Sequence, residues 1–271
     1  MMQEDKTSNL LAKRFGIDAF SAASAAFAVS PFITIVDRSI IENASGRNKL
    51  GTALKRGFIE LFTRPHRFIR TPAFLLIFGV YFSTYTTANV IDTVCSYTNR
   101  DNQTPKFLGT TIANMTTCIY KDRAFTRMFG IVAPKGLPLG TYGLFATRDA
   151  LTIAASFNIP PVLGRELYDR KIILDYETSQ NFAQMLCPAG VQIVSCALHL
   201  LGLDLYNRPG VSFSSRISLL AKNYLKTTIT RIARIGPAFG IGGVGNRVVK
   251  ERFSELIFDR QQVGVVATAF K

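Results

Sequence analysis

The stretch SPFITIVDRSI, residues 30–40, closes an apolar run that begins near residue 15. It places Pro31 where a helix would continue and sets Asp37 beside Arg38 at the end of the run. A proline ring removes one backbone hydrogen bond and crowds the preceding turn, and charges in an apolar span are costly unless paired or hydrated. We therefore expect a bent membrane helix, whose bend either closes one end of a helical bundle or serves only packing.

The composition of the whole chain also indicates a membrane protein. The chain has 271 residues, of which 48% are apolar and 18% charged, against about 25% charged in ordinary soluble domains. Spans of about 20 apolar residues are found at six places, at residues 15–37, 71–94, 105–120, 137–161, 182–206 and 229–250. The net charge is +14, but the basic residues lie between apolar segments without a recognition motif, so no nucleic-acid partner is expected.

The links between these segments alternate in charge. Residues 38–70, 121–148 and 207–234 contain eight, five and six Lys or Arg residues, with two, one and no acids. Residues 92–106 hold two basic and two acidic residues, and residues 158–181 hold three and four. Because basic links collect on one side of a membrane, we expect three links on that side and both termini on the other.

Two sequence marks recur at similar periods. The first is an acidic or amide residue followed by arginine, repeated every 85 residues at Asp37-Arg38, Asp122-Arg123 and Asn207-Arg208. The second is an arginine at the start of each even-numbered segment, at Arg70, Arg148 and Arg234, 78 and 86 residues apart. Self-similarity at a fixed period is the signature of tandem repeats, so we expect three units of two helices each.

The sequence offers little for metal binding or catalysis. Its four cysteines form no CxxC pair, and only two histidines are present, so neither a zinc site nor a disulfide framework is expected. We find no nucleophile–base constellation, no paired catalytic carboxylates and no phosphate-cradling glycine loop. The chain is therefore not expected to be an enzyme or to need a cofactor.

Three segments resemble the mitochondrial carrier family. RIARIGPAFGIGGVGNRVVKERF, residues 231–253, is similar to the start of that family's sixth helix, ATRDALTIAASF, residues 146–157, to its fourth, and residues 30–40 to the kinked end of its first. The resemblance implies an all-α membrane protein with six transmembrane helices in three tandem two-helix repeats, at about 15–98, 99–175 and 176–258 of a single domain, 1–271. It also implies the mitochondrial inner membrane, with the outer membrane as the alternative, although the N-terminus shows no presequence pattern.

The gate signature of that family, P-x-[DE]-x-x-[KR] at the end of each odd helix, is degenerate in this chain. Pro31 remains in the first copy and Lys121 in the second, and the third has no clear proline. The resemblance therefore implies a displaced charge ring, with Pro31 as the bend and with the members Asp37, Arg38, Lys121, Asp122, Arg123, Asp204 and Arg208. Because Asp37 and Arg38 diverge by about 100° on a helix, we expect them to serve different partners in neighbouring repeats, or else to anchor the helix at the interface.

The repeated arginines are the best candidates for a ligand site. By the same resemblance, an arginine near position 148 faces the central cavity. The predicted substrate-binding residues are Arg70, Arg148, Asp149, Arg234 and Arg247. Inward arginines would make a positive funnel for an anionic solute; the alternative is that they lie at the membrane interface and only fix topology.

Together, these expectations predict a carrier-like transporter that moves a small anionic metabolite by alternating access. The alternative is a carrier fold that no longer transports and serves as a structural or adaptor subunit with membrane protein partners. The lost signature charges favour the alternative, and the retained arginines favour transport. Membrane lipids are further expected partners, with anionic lipid at the basic links.

Overall fold

The computed structural model describes residues 2–131 and 136–269, with side chains for residues 10–131 and 136–257 other than 157, 239 and 240. All regular structure in these residues is helical. The α-helices are α1 (Met2–Ala44), α2 (Leu50–Thr63), α3 (Pro65–Phe68), α4 (Pro72–Tyr97), α5 (Gln103–Phe129), α6 (Leu139–Ile153), α7 (Ile159–Asp169), α8 (Tyr176–Gly190), α9 (Gln192–Asn207), α10 (Phe213–Ala233), α11 (Ile235–Pro237) and α12 (Gly245–Ala269). Two π-helical segments, Ala154–Asn158 and Ala238–Val244, lie between α6 and α7 and between α11 and α12. Residues 132–135, part of the third predicted link, lie outside the described residues.

By length and composition, three helical stretches in the described part of the chain can cross a membrane: Leu10–Ala44, Pro72–Tyr97 and Tyr176–Asn207. They match the first, second and fifth segments predicted from the sequence. The other three predicted segments are also largely helical, but polar residues lower their hydropathy. For example, α5 contains six threonines, and α6 carries Arg148 and Asp149 near its middle.

The long helices enclose a common central space. α1 packs on α4, α4 on α5, α6 on α9, α7 on α8 and α9 on α10. α5 also contacts α6, and α1 contacts α12. Because the first long helix meets the last, the helices surround the space between them.

One end of this central space is filled by an apolar cluster, which we call the apolar plug. Its buried residues are Val29, Ile33, Ile41, Ala73, Ile77, Phe125, Leu137, Phe145, Leu203 and Tyr206. They come from α1, α4, α5, α6 and α9 and from the residues just before α6, so these elements converge at this end. α1 continues as a helix through Pro31, between two plug residues of the same helix.

Close contacts between helices depend on small residues. Ala22 and Ala26 of α1 are fully buried. A Cβ atom built on Gly57 of α2 would lie 2.8 Å from Cγ2 of Ile35 in α1, so α2 rests against α1 at this glycine. The opposite face of α2 exposes apolar side chains, with Phe62 78% exposed.

Two helices begin with side-chain caps. The Thr71 hydroxyl accepts a hydrogen bond from the Phe74 N–H at 3.2 Å at the start of α4, where Pro72 fits the first turn. The Asp175 carboxylate accepts one from the Thr178 N–H at 2.7 Å at the start of α8, and hydrogen bonding by Thr178 lowers the pKa of that carboxyl. These caps fix where α4 and α8 begin, which are the helices at the second and fifth predicted apolar segments.

Candidate functional site

A cavity of about 1430 Å³ lies in the central space. Most of its lining comes from α1, α4, α5, α6, α9, α10 and α12. The plug residues Ile33, Ile41 and Ile77 line its closed end, which we call the floor. Exposed residues such as Thr104 and Arg247 line the opposite end, which we call the mouth.

Five charged side chains form a chain of ion pairs at the floor. Asp37 Oδ2 accepts a hydrogen bond from Lys121 Nζ at 2.9 Å, and Asp37 Oδ1 accepts one from Arg234 Nη1 at 2.5 Å. Lys121 Nζ also lies 2.7 Å from Asp122 Oδ1, and Asp122 Oδ2 accepts from Arg148 Nη2 at 2.5 Å. All but Arg234 are buried. Because losing a partner can leave a buried charge uncompensated, the five side chains depend on one another.

Arg148 extends this network to α9. Its Nε and Nη2 atoms donate to Asp149 Oδ1 at 3.0 and 2.6 Å, and its Nη1 atom lies 2.7 Å from His199 Nδ1. Because a guanidinium can only donate, His199 Nδ1 accepts and the ring proton is on Nε2. The Phe145 ring centre lies 5.1 Å from the guanidinium carbon, a cation–π contact. Arg148 is thereby fixed on several sides, whereas Asp149 Oδ2 has no hydrogen-bond partner among the described residues.

Arg231 of α10 is the cation at the floor that has no carboxylate partner in the described part of the chain. It is 3% exposed, and its Nε atom donates to Gln192 Oε1 at 3.0 Å. Gln192 is fixed in turn, because its oxygen also accepts from the Ser195 hydroxyl at 3.2 Å and its nitrogen donates to the Pro188 carbonyl at 3.1 Å. The two terminal nitrogens of Arg231 donate to no described protein atom, and the residue lines the cavity.

Counted over the described residues, the floor therefore holds one positive charge in excess. Its four cations are Lys121, Arg148, Arg231 and Arg234, and its three carboxylates are Asp37, Asp122 and Asp149. Arg231 also lies within electrostatic reach of Arg234 and Arg148, and of Asp37, whose two oxygens already pair with Arg234 and Lys121. A buried charge among like charges is unfavourable unless an opposite charge joins it. The arrangement is suited to a ligand that brings one carboxylate.

Between the floor and the mouth, part of the cavity wall is polar but uncharged. This part consists of Tyr81, Thr84, Tyr85, Thr111 and Asn114. Asn114 donates to the Thr84 hydroxyl at 3.2 Å, and the Tyr85 hydroxyl donates to the Ala238 carbonyl at 3.3 Å. Neutral donors and acceptors of this kind can bind an uncharged polar group of a solute.

A second polar cluster joins α1, α4 and α12 at the mouth. Asp18 Oδ1 lies 2.8 Å from Lys250 Nζ, and Asp18 Oδ2 accepts from the Thr93 hydroxyl at 2.6 Å. The Asn89 and Asn246 amides exchange two hydrogen bonds of 2.9 Å each. This cluster fixes α12 to α1 and α4, so it holds the last helix against the first.

The predicted substrate-binding residues are not all at the cavity. Arg148, Asp149 and Arg234 line the floor and Arg247 lines the mouth. Arg70 is exposed between α3 and α4 and is not among the lining residues. It precedes the first turn of α4, whereas Arg148 lies well inside α6, so the two arginines are not equivalent in space. We leave Arg70 out of the site.

The predicted gate charges do not join into one ring among the described residues. Asp37, Lys121 and Asp122 belong to the floor. Arg38 instead pairs with Glu42 at 2.8 Å and with Glu60 of α2 at 3.3 Å. Because adjacent residues on a helix point about 100° apart, α1 directs one charge into the cavity and the next towards α2.

The remaining predicted gate residues lie away from the cavity lining. Asp204 of α9 pairs with Arg208 at 2.5 Å and with Arg216 of α10. Arg123 is exposed on α5, and Pro31 is half-buried within α1. The ion pair of Asp204 with Arg216 fixes the end of α9 to α10. It is local to those two helices and is not part of the floor network.

Sequence reasoning does not identify Arg231, Gln192 or His199 as site residues. A signal exists for Arg231, which precedes Arg234 by three residues and so lies on the same helix face. A signal also exists for His199, since a buried histidine in an apolar helix needs a hydrogen-bond partner. The contact between Gln192 and Arg231 joins α9 to α10 and has no signal in the sequence.

Comparison with protein-family models matches residues 21–254 to the family described as "Probable citrulline exporter". No curated protein matches the chain. The expected membership of the mitochondrial carrier family is therefore wrong. The motifs behind it are short combinations of Arg, Gly and Pro, which bent helices with basic links can share without common descent. The matched family is one of transporters and not of enzymes, and a membrane location agrees with it.

Proposed function

The chain belongs to the probable citrulline exporter family, and from this premise we propose that it carries citrulline, or a closely similar small amino acid, across a membrane. Three helices long and apolar enough to span a membrane support this proposal, as does the large cavity between the helices. The mitochondrial location rested on the rejected resemblance and is not part of the proposal.

The observation that favours a carboxylate-bearing solute is the uncompensated Arg231. The residue is buried and lines the cavity, its Nε donates to Gln192, and its terminal nitrogens donate to no described protein atom. A guanidinium binds a carboxylate through two parallel hydrogen bonds. A simple monocarboxylate meets this requirement as well as an amino acid does, so the anionic metabolite expected from the sequence stays within the proposal as a competing substrate.

The middle of the cavity supports citrulline over solutes with a charged side chain. The citrulline side chain ends in an uncharged ureido group, which both donates and accepts hydrogen bonds. The wall formed by Tyr81, Thr84, Tyr85, Thr111 and Asn114 offers neutral partners of both kinds. A solute with its carboxylate at Arg231 would place its side chain along this wall.

We propose alternating access as the mechanism. In it, the helices formed by the six predicted apolar segments act as three two-helix units. In the described conformation the cavity is closed by the apolar plug and reaches exposed residues at the mouth. Opening the other side requires the plug and the ion pairs at the floor to separate. A ligand that neutralises Arg231 lowers the net charge of this layer, so binding can help it to rearrange.

Transport can be tested by counterflow of labelled citrulline in proteoliposomes that contain the purified chain. We expect accumulation that needs unlabelled citrulline inside. Arg231→Gln should weaken apparent affinity about 10- to 100-fold, since a hydrogen bond to a charged group contributes about 1.5–3 kcal/mol.

The matched control is Lys222→Gln, which removes a positive charge from an exposed position of the same helix. It should transport as the unmodified chain does. Absence of counterflow for citrulline and for a panel of small amino acids and monocarboxylates would end the proposal. The alternative of a non-transporting adaptor subunit would then regain support; its main argument, the missing carrier signature, has no force for a member of a different family.

A further inference from the structure

We propose that the floor of the cavity is a head-group site for an α-amino acid, in which Arg231 binds the α-carboxylate and Asp149 binds the α-ammonium. This inference rests on the proposed function and assigns the residues that distinguish an amino acid from a simple monoanion. Such a site needs two parts within one small region. One is a protein carboxylate that accepts from the ligand ammonium, and the other is a pair of free donors that bind the ligand carboxylate.

The donor half of the site consists of Arg231 and His199. The terminal nitrogens of Arg231 have no described protein partner. His199 accepts from Arg148 through Nδ1 at 2.7 Å, so its Nε2–H remains available to a ligand. Both residues line the cavity, and the charge of Arg231 acts on His199. A carboxylate at this place can therefore accept from both side chains.

The acceptor half of the site is identified by comparing the partners of the carboxylate oxygens in the three floor aspartates. Asp37 gives one oxygen to Lys121 and the other to Arg234. Asp122 Oδ2 accepts from Arg148, and its Oδ1, which has no described hydrogen bond, lies 2.7 Å from Lys121 Nζ in an ion pair. Asp149 accepts both of its hydrogen bonds from Arg148 on the same oxygen, Oδ1, and its Oδ2 is buried without a hydrogen-bond partner in the described part of the chain.

An unpartnered buried carboxylate oxygen is costly, and an ammonium ion is the strongest donor that could satisfy it. Oδ2 is enclosed in the described conformation. A partial rotation about the Cβ–Cγ bond of Asp149, whose side chain is 11% exposed and lines the cavity, would turn Oδ2 towards a ligand ammonium while Oδ1 stays near Arg148.

The two halves are close because Arg148 joins them. One edge of its guanidinium donates to Asp149 and the other contacts His199. The ammonium acceptor and the carboxylate donor are thus separated by one guanidinium and its hydrogen bonds, a span comparable to an α-amino acid head group with its own hydrogen bonds. Without Asp149, the ammonium of a zwitterion would meet only carboxylates that are already paired with the cations of the floor.

The first test compares two solutes on the unmodified chain: citrulline, and its des-amino analogue, which keeps the carboxylate and the ureido side chain. Both are used to inhibit counterflow of labelled citrulline. We expect the analogue to inhibit about 10-fold or more weakly, because it leaves Asp149 unsatisfied. Equal inhibition by the two solutes would overturn the assignment, and this result does not depend on the folding of any variant.

The second test uses Asp149→Asn and Arg231→Gln. Asp149→Asn should lose most of its preference for citrulline over the analogue while it still binds the analogue, whereas Arg231→Gln should bind both solutes poorly. Binding of the analogue by Asp149→Asn also shows that this variant is folded. An unchanged preference in Asp149→Asn would refute the role of Asp149. If the unmodified chain transports neither solute, the proposed function itself fails.

Discussion

Asp37 illustrates how much a single residue of the floor supports. Its carboxylate holds Lys121 of α5 and Arg234 at the end of α10, residues that are 84 and 197 positions away in the chain. With Asp37→Asn, Lys121 keeps Asp122, but Arg234 has no other described carboxylate at salt-bridge distance. Because breaking a buried ion pair costs about 3–5 kcal/mol, we expect a marked fall in the Tm of the detergent-purified protein, measured by thermal unfolding.

Glu166→Gln provides the control for Asp37→Asn. Glu166 accepts from Arg170 at 2.5 Å on α7, but the two side chains are 54% and 69% exposed. Exposed ion pairs contribute little because water already solvates both charges, so the Tm of this variant should match that of the unmodified protein. Equal losses of Tm in the two variants would show that the floor network contributes nothing beyond ordinary surface pairing.

The partners of single residues explain why the sequence predicts the site only in part. Arg148, Asp149 and Arg234 stand out because arginine and aspartate are rare in apolar helices. Their environment depends on contacts between helices far apart in the chain, such as Arg148 with Asp122 and His199. Arg231 looks like its neighbour Arg234 in the sequence, yet of the two only Arg234 pairs with a described carboxylate. No local pattern contains that difference.

At the scale of elements, α2 depends on one glycine for its contact with α1. A Cβ atom at Gly57 would lie 2.8 Å from Ile35, which is 1% exposed and cannot move aside freely. Gly57→Ala should therefore lower the Tm, since relieving such a clash in a packed interface typically costs about 1–3 kcal/mol.

The same substitution at Gly51 is the matched control. Gly51 lies in the first turn of α2 and is exposed, and a Cβ atom at this position would meet no other part of the protein within 4 Å. Alanine favours a helix over glycine by up to about 1 kcal/mol, so Gly51→Ala should leave the Tm unchanged or raise it. If Gly57→Ala behaves like Gly51→Ala, α2 is not fixed against α1 through this glycine.

The elements differ in how clearly the sequence predicts them. The apolar segments at 15–37, 71–94 and 182–206 are strong signals, and each corresponds to a helix able to span a membrane. The segments at 105–120, 137–161 and 229–250 are helical, but their threonines, charges and glycines keep them below that limit. α10 lies largely within residues 207–234, which count as a basic link in the sequence. A link with apolar residues at helical spacing can fold as a helix, and α10 packs on α9.

At the scale of the whole molecule, the cavity is asymmetric in charge as well as in shape. Its lining includes eight Lys or Arg residues and five Asp or Glu residues. The floor accounts for one excess cation, and the rest lie towards the mouth. A cavity with this balance attracts anions from solution, which would help a carboxylate to enter and would slow the entry of cations.

Native cysteines allow this asymmetry to be measured. Cys118 of α5 lines the cavity, whereas Cys196 of α9 is fully buried and does not. In a variant that keeps only Cys118, an anionic methanethiosulfonate reagent added from the mouth side should react about 10-fold faster than a cationic one. Both rates are taken relative to a small thiol in solution, and citrulline should slow both if it occupies the cavity. A variant that keeps only Cys196 should react slowly with either reagent. Faster reaction of the cationic reagent at Cys118 would mean that the field in the cavity is not positive, and the case for a carboxylate at Arg231 would fall with it.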